Sequence, residues 1–469
     1  MRTLDGKATD LSTETVETLR TRLVGGLLQP GADGYEEARK IWNGMIDRRP
    51  ALIARCSGTA DVVEAVRFGQ EHGWLSSIRC GGHNIAGQAV CDDGLMIDLS
   101  GMRGVWVDRQ ARLARAQAGC TLGEVDRETQ LHKLAAVLGF VSTTGAAGVT
   151  VGGGFGYLTR KYGWTCDNLR SVEVVTADGV VRTASSKENP DLFWALRGGG
   201  GNFGVVTSFE YELQSVGPEI VAGAIAWRGE DAPAVLDFFC EFAAQAPEEL
   251  TCVLGLRRAP PAPWISKEMH GKLIALVIVC HSGAIAQGEK DLAPLKAFGS
   301  PVGDVVTRRP YSQQQTLLDA TQPKGRRYYW KSDYMPDLDR DALAALLEHA
   351  REIVSPHSAI LLFQLAGALN RLPDDHSPAG ARDTKWVLNV AGSWETLEDD
   401  AKNIEWARRC WRDMRRFSTK TPYVNFLTED EGVERIQEAY GGNHARLAEL
   451  KAKWDPGNFF RHNKNIAPA

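Results

Sequence analysis

The chain has 469 residues, 43% hydrophobic and 24% charged, with a formal net charge of −5. That is ordinary for a globular protein of two or three domains with a large core. It gives no electrostatic basis for a nucleic-acid or anionic-membrane partner. The nine cysteines are scattered with no CxxC spacing, which argues against a thiolate metal site and a redox dithiol. The start, Met1-Arg2-Thr3-Leu4-Asp5, lacks the apolar run of a signal peptide, and no stretch approaches membrane-spanning length. Scattered thiols without a leader point to the reducing cytoplasm.

In chain order, Asp61–Phe68 carries apolar residues at helical spacing behind an early aspartate. A strand at Leu75–Arg79 follows, then a short buried strand at Leu95–Leu99. Val105–Val107 and Leu113–Gln117 read as a hairpin around Asp108-Arg109-Gln110. Leu122–Leu134 reads as a helix. Val172–Thr176 and Val180–Thr183 flank Ala177-Asp178-Gly179, an Asp-Gly hairpin signal. Pro190 stands at the start of a helix that runs to Leu196, and Val205–Leu213 is a strand.

After Ser215-Val216-Gly217-Pro218 the dense glycines stop. Strands are expected at Ile220–Trp227, Cys252–Arg257, Leu273–Cys280, Ile360–Ala366 and Trp386–Trp394. Helices are expected at Ala232–Ala244, Gln287–Phe298, Arg340–Val354, Asp400–Phe417 and Glu431–Lys453. The pattern predicts an α+β cap, an antiparallel sheet with helices on one face.

Three glycine-rich runs stand out: Ile78-Arg79-Cys80-Gly81-Gly82-His83-Asn84, Gly148–Gly156 (GVTVGGGFG) and Gly198–Gly204 (GGGGNFG). Glycine lets backbone N–H groups approach an anionic ligand closely. Three such runs point to one dinucleotide held from three sides, and the histidine in the first points to covalent attachment. The run Gly199–Gly204 fits GxGxxG formally, but a helix precedes it and a strand follows. That is the reverse of the Rossmann order, which argues against the classical nicotinamide reading. There is no P-loop, HExxH or GxSxG run.

At these residues the chain resembles the berberine-bridge-enzyme-like FAD-linked oxidases of the vanillyl-alcohol oxidase/PCMH fold, in particular their bacterial, singly flavin-linked members. The matching runs are RRPALIARC (Arg48–Cys56), IRCGGHN (Ile78–Asn84), MIDLS (Met96–Ser100), Ser142–Leu169, Gly198–Tyr211, YYWKS (Tyr328–Ser332), YVNF (Tyr423–Phe426) and DPGNFFRHNKNI (Asp455–Ile466). The resemblance implies a two-subdomain FAD-binding domain over residues 47–216. It further implies an N-terminal helical segment over 1–46, a substrate cap over 217–440 and a returning tail over 441–469.

It also implies roles. His83 matches the histidine bonded to the flavin 8α carbon. Arg79, Gly81, Gly82, Asn84 and Gly87 match the pyrophosphate loop. Thr144, Gly145, Gly148, Gly152, Gly153 and Gly156 match the second FAD-contacting segment, Gly204 and Val206 the third, and Asn463 and Asn465 the tail. Doubly linked relatives carry a cysteine before the second glycine run. Here that segment reads Phe140-Val141-Ser142-Thr143-Thr144-Gly145, so a single link is implied, with Cys166 no part of it. Relatives with YxNY have a phenol where this chain has Phe426, which cannot take a proton. Lys464, between the tail asparagines, reads as a surface residue.

Flavin supplies the redox chemistry and the protein supplies orientation and acid/base groups. Gln364 and Asn370 match positions that face the flavin in relatives and are the candidate catalytic residues, with Asn425 and Tyr423. Tyr329, Lys331 and Phe426 are candidate pocket residues. The implied activity is hydride removal from a small or secondary-metabolite substrate (an amine, an alcohol or a polyketide-like compound), with O2 as electron acceptor and no metal. The alternatives are a flavin dehydrogenase or ene-reductase and, in a different class, a non-catalytic flavin-binding protein.

Overall fold

Every residue of the strand Leu95–Asp98 is buried, as expected for a strand covered on both faces. In the computed structural model, which describes residues 1–469, it pairs in parallel with Leu52–Arg55 and with Ser76–Arg79. The helix Thr59–Glu71 makes the crossover that parallel pairing requires. Leu27–Leu28 adds an antiparallel edge. The buried Asp61 carboxylate accepts hydrogen bonds from Val24 N at 2.8 Å and Gly25 N at 3.0 Å. Residues 1–46 are thus tied into this first subdomain.

The second subdomain is a five-stranded antiparallel sheet in the order Val105–Asp108, Leu113–Gln117, Val205–Glu212, Leu169–Val175, Val181–Ser185. The Asp-Gly hairpin closes with Thr176 N donating to Val180 O at 3.2 Å, and Gly179 takes φ +68°, which glycine tolerates.

The cap is built on a long antiparallel sheet whose order is Gly303–Asp304, Glu219–Arg228, Leu273–His281, Leu250–Arg258, Ala359–Gln364, Trp386–Trp394, Arg327–Met335. Alternate residues face opposite sides. Phe363 and Ile278 join the core shared with the N-terminal half. Their neighbours Leu362 and Val277 join a second core with Phe239, Leu292, Leu346 and Trp406 of the cap helices. The helices therefore cover one face and the N-terminal half covers the other. No helix is long and apolar enough to cross a membrane.

Three elements differ from expectation. The helix from Leu122 ends at Gln130, because Lys133 takes φ +59° and Leu134–Ala135 pairs with Gln214–Ser215. The helix expected over Glu431–Lys453 is two, Val433–Tyr440 and His444–Trp454, broken where Gly441 takes φ +50°. The edge strand Arg327–Met335 was not expected as a strand. Charged residues interrupt its apolar pattern, and their partners come from distant segments: Asp400 for Arg327, Glu431 for Lys331 and Arg435 for Asp333.

Candidate active site

The three glycine runs and the tail meet on one cavity between the flavin half and the cap. The first two runs touch backbone to backbone, since a Cβ on Gly81 would stand 2.6 Å from Gly145 N. Gly82 takes φ +67°, a left-handed turn that carries the chain into His83. On the second run, a Cβ at Gly148 would meet no atom within 4 Å. The tail is fixed against the third run by Asn202, whose Nδ2 donates to Lys464 O at 3.2 Å and whose Oδ1 accepts from Ile466 N at 3.0 Å. Behind it the fully buried Lys451 donates to Asn202 O, Asp455 Oδ2 and Phe460 O at 2.7–2.9 Å.

The cavity fits a dinucleotide on two counts. Its walls offer open glycine backbone, and buried polar atoms there have no partner in the protein: His83 Nε2 and Asn463 Oδ1. Buried polar atoms without partners mark a place for a ligand or ordered water. Burial pushes the His83 pKa down to about 3, so the imidazole is neutral and nucleophilic at physiological pH.

Of the residues expected at the cofactor, Gly81, Gly82, His83, Asn84, Thr144, Gly145, Gly148, Gly152, Gly204, Val206 and Asn463 line the cavity. Arg79, Gly87, Gly153, Gly156 and Asn465 stand behind the lining. Arg79 donates to Ala38 O and pairs with Asp98 at 3.5 Å. At Gly87 a side chain would strike Ile46, at Gly153 Ala379 and at Gly156 the Leu138 backbone. These glycines let the loops pack.

On the cap side, Trp330, Leu361, Phe363, Asn389 and Ala391 line the cavity from alternate positions of three neighbouring strands. Phe155, Tyr423 and Phe426 complete an aromatic enclosure. The Phe426 ring lies edge-to-face with Trp330 at 5.1 Å and with Tyr423 at 5.0 Å between centroids. Tyr423 OH accepts from Gly154 N at 3.1 Å and from Asn425 Nδ2 at 2.9 Å. Burial raises the Tyr423 pKa, so the phenol keeps its proton. No aspartate or glutamate lines the cavity.

Four expected residues lie elsewhere. Gln364 points to the helix side of the sheet, where it accepts from Cys252 N at 3.2 Å and donates to Ala243 O at 2.8 Å. Asn370 sits on the turn Gly367–Arg371 and donates to Thr384 O at 3.1 Å. Tyr329 and Lys331 flank the cavity-facing Trp330 and so point away from it. The Tyr329 hydroxyl donates to Asp430 at 2.7 Å, and Lys331 pairs with Asp430 and Glu431 at 3.2 Å. Lys464 is buried rather than on the surface, donating to Thr428 O at 2.9 Å, with its pKa lowered to about 8 by burial. Asn389 and Trp330 were missed. The signal was available in Trp386–Trp394, an apolar strand with one amide at a position of the same parity as Ala391.

Residues 50–185 match a family model described as an FAD binding domain, and residues 422–467 match one described as berberine and berberine like. The (R)-6-hydroxynicotine oxidase of Paenarthrobacter nicotinovorans is 31% identical over 95% of this chain and 97% of its own length. Monolignol oxidoreductase AtBBE-like 13 of Arabidopsis thaliana is 28% identical over 83% and 78%. The crystal structure of 6-hydroxy-D-nicotine oxidase from Arthrobacter nicotinovorans superposes with a TM-score of 0.85, covering 98% of this chain and all of that one at 28% identity. Berberine bridge enzyme from Eschscholzia californica shares the fold, with a TM-score of 0.85 at 22% identity over 97% of this chain and 99% of that one. With its glycine loops, the cleft they line and the sheet-backed cap, the chain belongs to the berberine-bridge-enzyme-like family of FAD-dependent oxidoreductases.

Proposed function

We propose that the protein is an oxygen-using oxidase, with its FAD bonded through His83, that takes hydride from an alkylamine bearing an aromatic ring or a similarly flat, partly apolar small molecule. The observation that carries the substrate class is the enclosure of Phe155, Trp330, Phe363, Tyr423 and Phe426 with no carboxylate among its walls.

Bound flavin supplies the hydride acceptor at N5. The aromatic walls exclude water and orient a flat ring by stacking and edge contacts. Asn389 Oδ1, buried and without a partner in the protein, accepts a hydrogen bond from a polar substituent. Asn425, held by its bond to Tyr423 OH, also lines the cavity and presents its amide to it. A neutral amine releases hydride from its α carbon as the nitrogen lone pair forms the C=N bond, with no proton to remove in that step. Such chemistry suits a site whose phenol stays protonated. The two electrons that the bound flavin gains with the hydride then pass to oxygen, which takes up two protons and leaves as hydrogen peroxide. The similarity to a 6-hydroxynicotine oxidase, an enzyme named for a pyridine-bearing amine, supports the same class. A sugar would leave hydroxyls unpaired against the phenyl rings, at roughly 1–3 kcal/mol each.

The test is peroxide release in air by the purified protein against aromatic amines, alcohols, phenolic or polyketide-like compounds, and mono- and oligosaccharides. Amine turnover supports the reading, and efficient turnover of a simple sugar overturns the substrate class. Substrate-dependent flavin bleaching without oxygen, with no peroxide in air, makes the protein a dehydrogenase. Flavin fluorescence on the acid-denatured polypeptide is expected, and complete washout refutes the bond to His83. Cytoplasmic residence is supported by nine unpaired cysteines and is checked by cell fractionation.

A further inference from the structure

The His83 imidazole has a buried Nε2 without a protein partner, so hydrogen bonding at that atom does not fix the ring. One face of the ring is held by stacking. The Trp42 indole lies against it at 4.2 Å between centroids and 19° between planes. The other face of Trp42 stacks on Tyr328 at 3.7 Å and 13°. The indole is itself held: Nε1 donates to Gln322 O at 2.9 Å, the backbone N donates to Gly82 O at 2.9 Å, and the carbonyl accepts from Gly325 N at 2.9 Å. The next residue, Asn43, is buried and satisfied at both ends of its amide. Its Nδ2 donates to Ile85 O at 2.9 Å and Tyr328 O at 3.0 Å, and its Oδ1 accepts from Tyr328 N and Met45 N at 3.1 Å.

Two consecutive residues thus join the His83 loop, through Gly82 and Ile85, to the cap strand that carries Trp330. We infer that Trp42, braced by Asn43, is a positioning residue that holds the His83 ring at the orientation in which it bonds the flavin, and that it ties this orientation to the seating of the cap. The inference rests on the assignment of His83 as the attachment point. A ring held within a narrow range of orientations reacts faster than one that rotates freely.

The experiment uses holoprotein purified after expression as wild type, Trp42→Phe, Trp42→Ala and Tyr328→Leu, each also in a His83→Ala background. The fraction of flavin left on the polypeptide after acid precipitation is measured with the midpoint potential and the thermal unfolding midpoint. Trp42→Ala is expected to lower the covalent fraction by about fivefold or more while still binding FAD, and Trp42→Phe to restore most of it. Tyr328→Leu, which removes the outer ring only, is expected to fall between them and serves if Trp42→Ala does not fold. A covalent fraction in folded Trp42→Ala equal to wild type overturns the inference. If wild type itself holds no covalent flavin, the His83 assignment has failed and the inference falls with it. A Trp42→Ala shift that vanishes in the His83→Ala background upholds action through His83, and an equal shift in both backgrounds rejects it.

Discussion

A methyl group on Gly152 would stand 2.5 Å from the amide carbon and nitrogen of Asn425. The flavin half and the tail of the cap thus meet at a point where only hydrogen fits, and both residues line the cavity. Gly152→Ala is expected to push the Asn425 amide off Tyr423 and to lower kcat/KM by about ten- to a hundredfold with FAD still bound. Steady-state kinetics with the flavin spectrum of the variant check it. Normal kinetics would show that the amide can move without consequence.

His83→Ala is expected to fold and bind FAD without a covalent bond, because the glycine backbone and tail that line the rest of the cavity are untouched. The flavin should become less oxidising. Redox titration beside an acid-denatured gel reads both effects, and a band that remains fluorescent would move the attachment point elsewhere.

Flavin should appear on the His83 peptide alone. Val141, in the segment where doubly linked relatives carry a cysteine, lines the cavity, whereas Cys166 does not. Cys166 is fully buried and burial raises the pKa of its thiol, which leaves it unreactive. Peptide mapping settles this, and a flavinylated Cys166 peptide would contradict it.

Asp126 gives a pH signature. Its carboxyl is buried, accepts one hydrogen bond from Gln315 Nε2 at 3.0 Å, and leaves Oδ1 without a partner. Burial raises its pKa from 3.8 to about 7. Between those values the folded state holds the proton more tightly than the unfolded chain, so this contribution is full below the lower value and lost as pH rises through the upper one. Asp126→Asn keeps the shape without the charge. It should raise stability at pH 8 by on the order of a few kcal/mol and change little near pH 4. Denaturant melts at the two pH values make the comparison; equal effects at both would exclude titration of Asp126 as the cause.

Lys331, on the helix side of the cap sheet, predicts a stability effect without a catalytic one. Lys331→Met leaves the buried Glu431 facing one cation fewer and should cost about 3 kcal/mol. KM should stay unchanged, because the cavity keeps Trp330. A changed KM with unaltered stability would return Lys331 to the pocket.

These contrasts show what was legible in the sequence and why. The glycine runs, the Asp-Gly hairpin and most cap strands and helices rest on local chemistry, and the sequence displays local chemistry directly. The loop around His83 was legible for the same reason. Gln364, Tyr329 and Lys331 were misplaced by a single question, which parity of a strand faces the flavin. Both faces of the cap sheet are buried, so apolar alternation does not answer it. Trp42 escaped notice because its role depends on three segments brought together only by folding. Lys464 and Lys331 are charges buried with partners from other segments, which composition alone cannot reveal.

The alternation of the cap strands has an engineering consequence. Ion pairs and helix contacts occupy one parity, and the residues at 330, 361, 363, 389 and 391 occupy the other. A combinatorial library confined to those five codons would explore new substrates against an unchanged structural backing. Its members should spread widely in selectivity, and those that keep Phe363, a member of the shared core, should melt within a narrow range of temperatures.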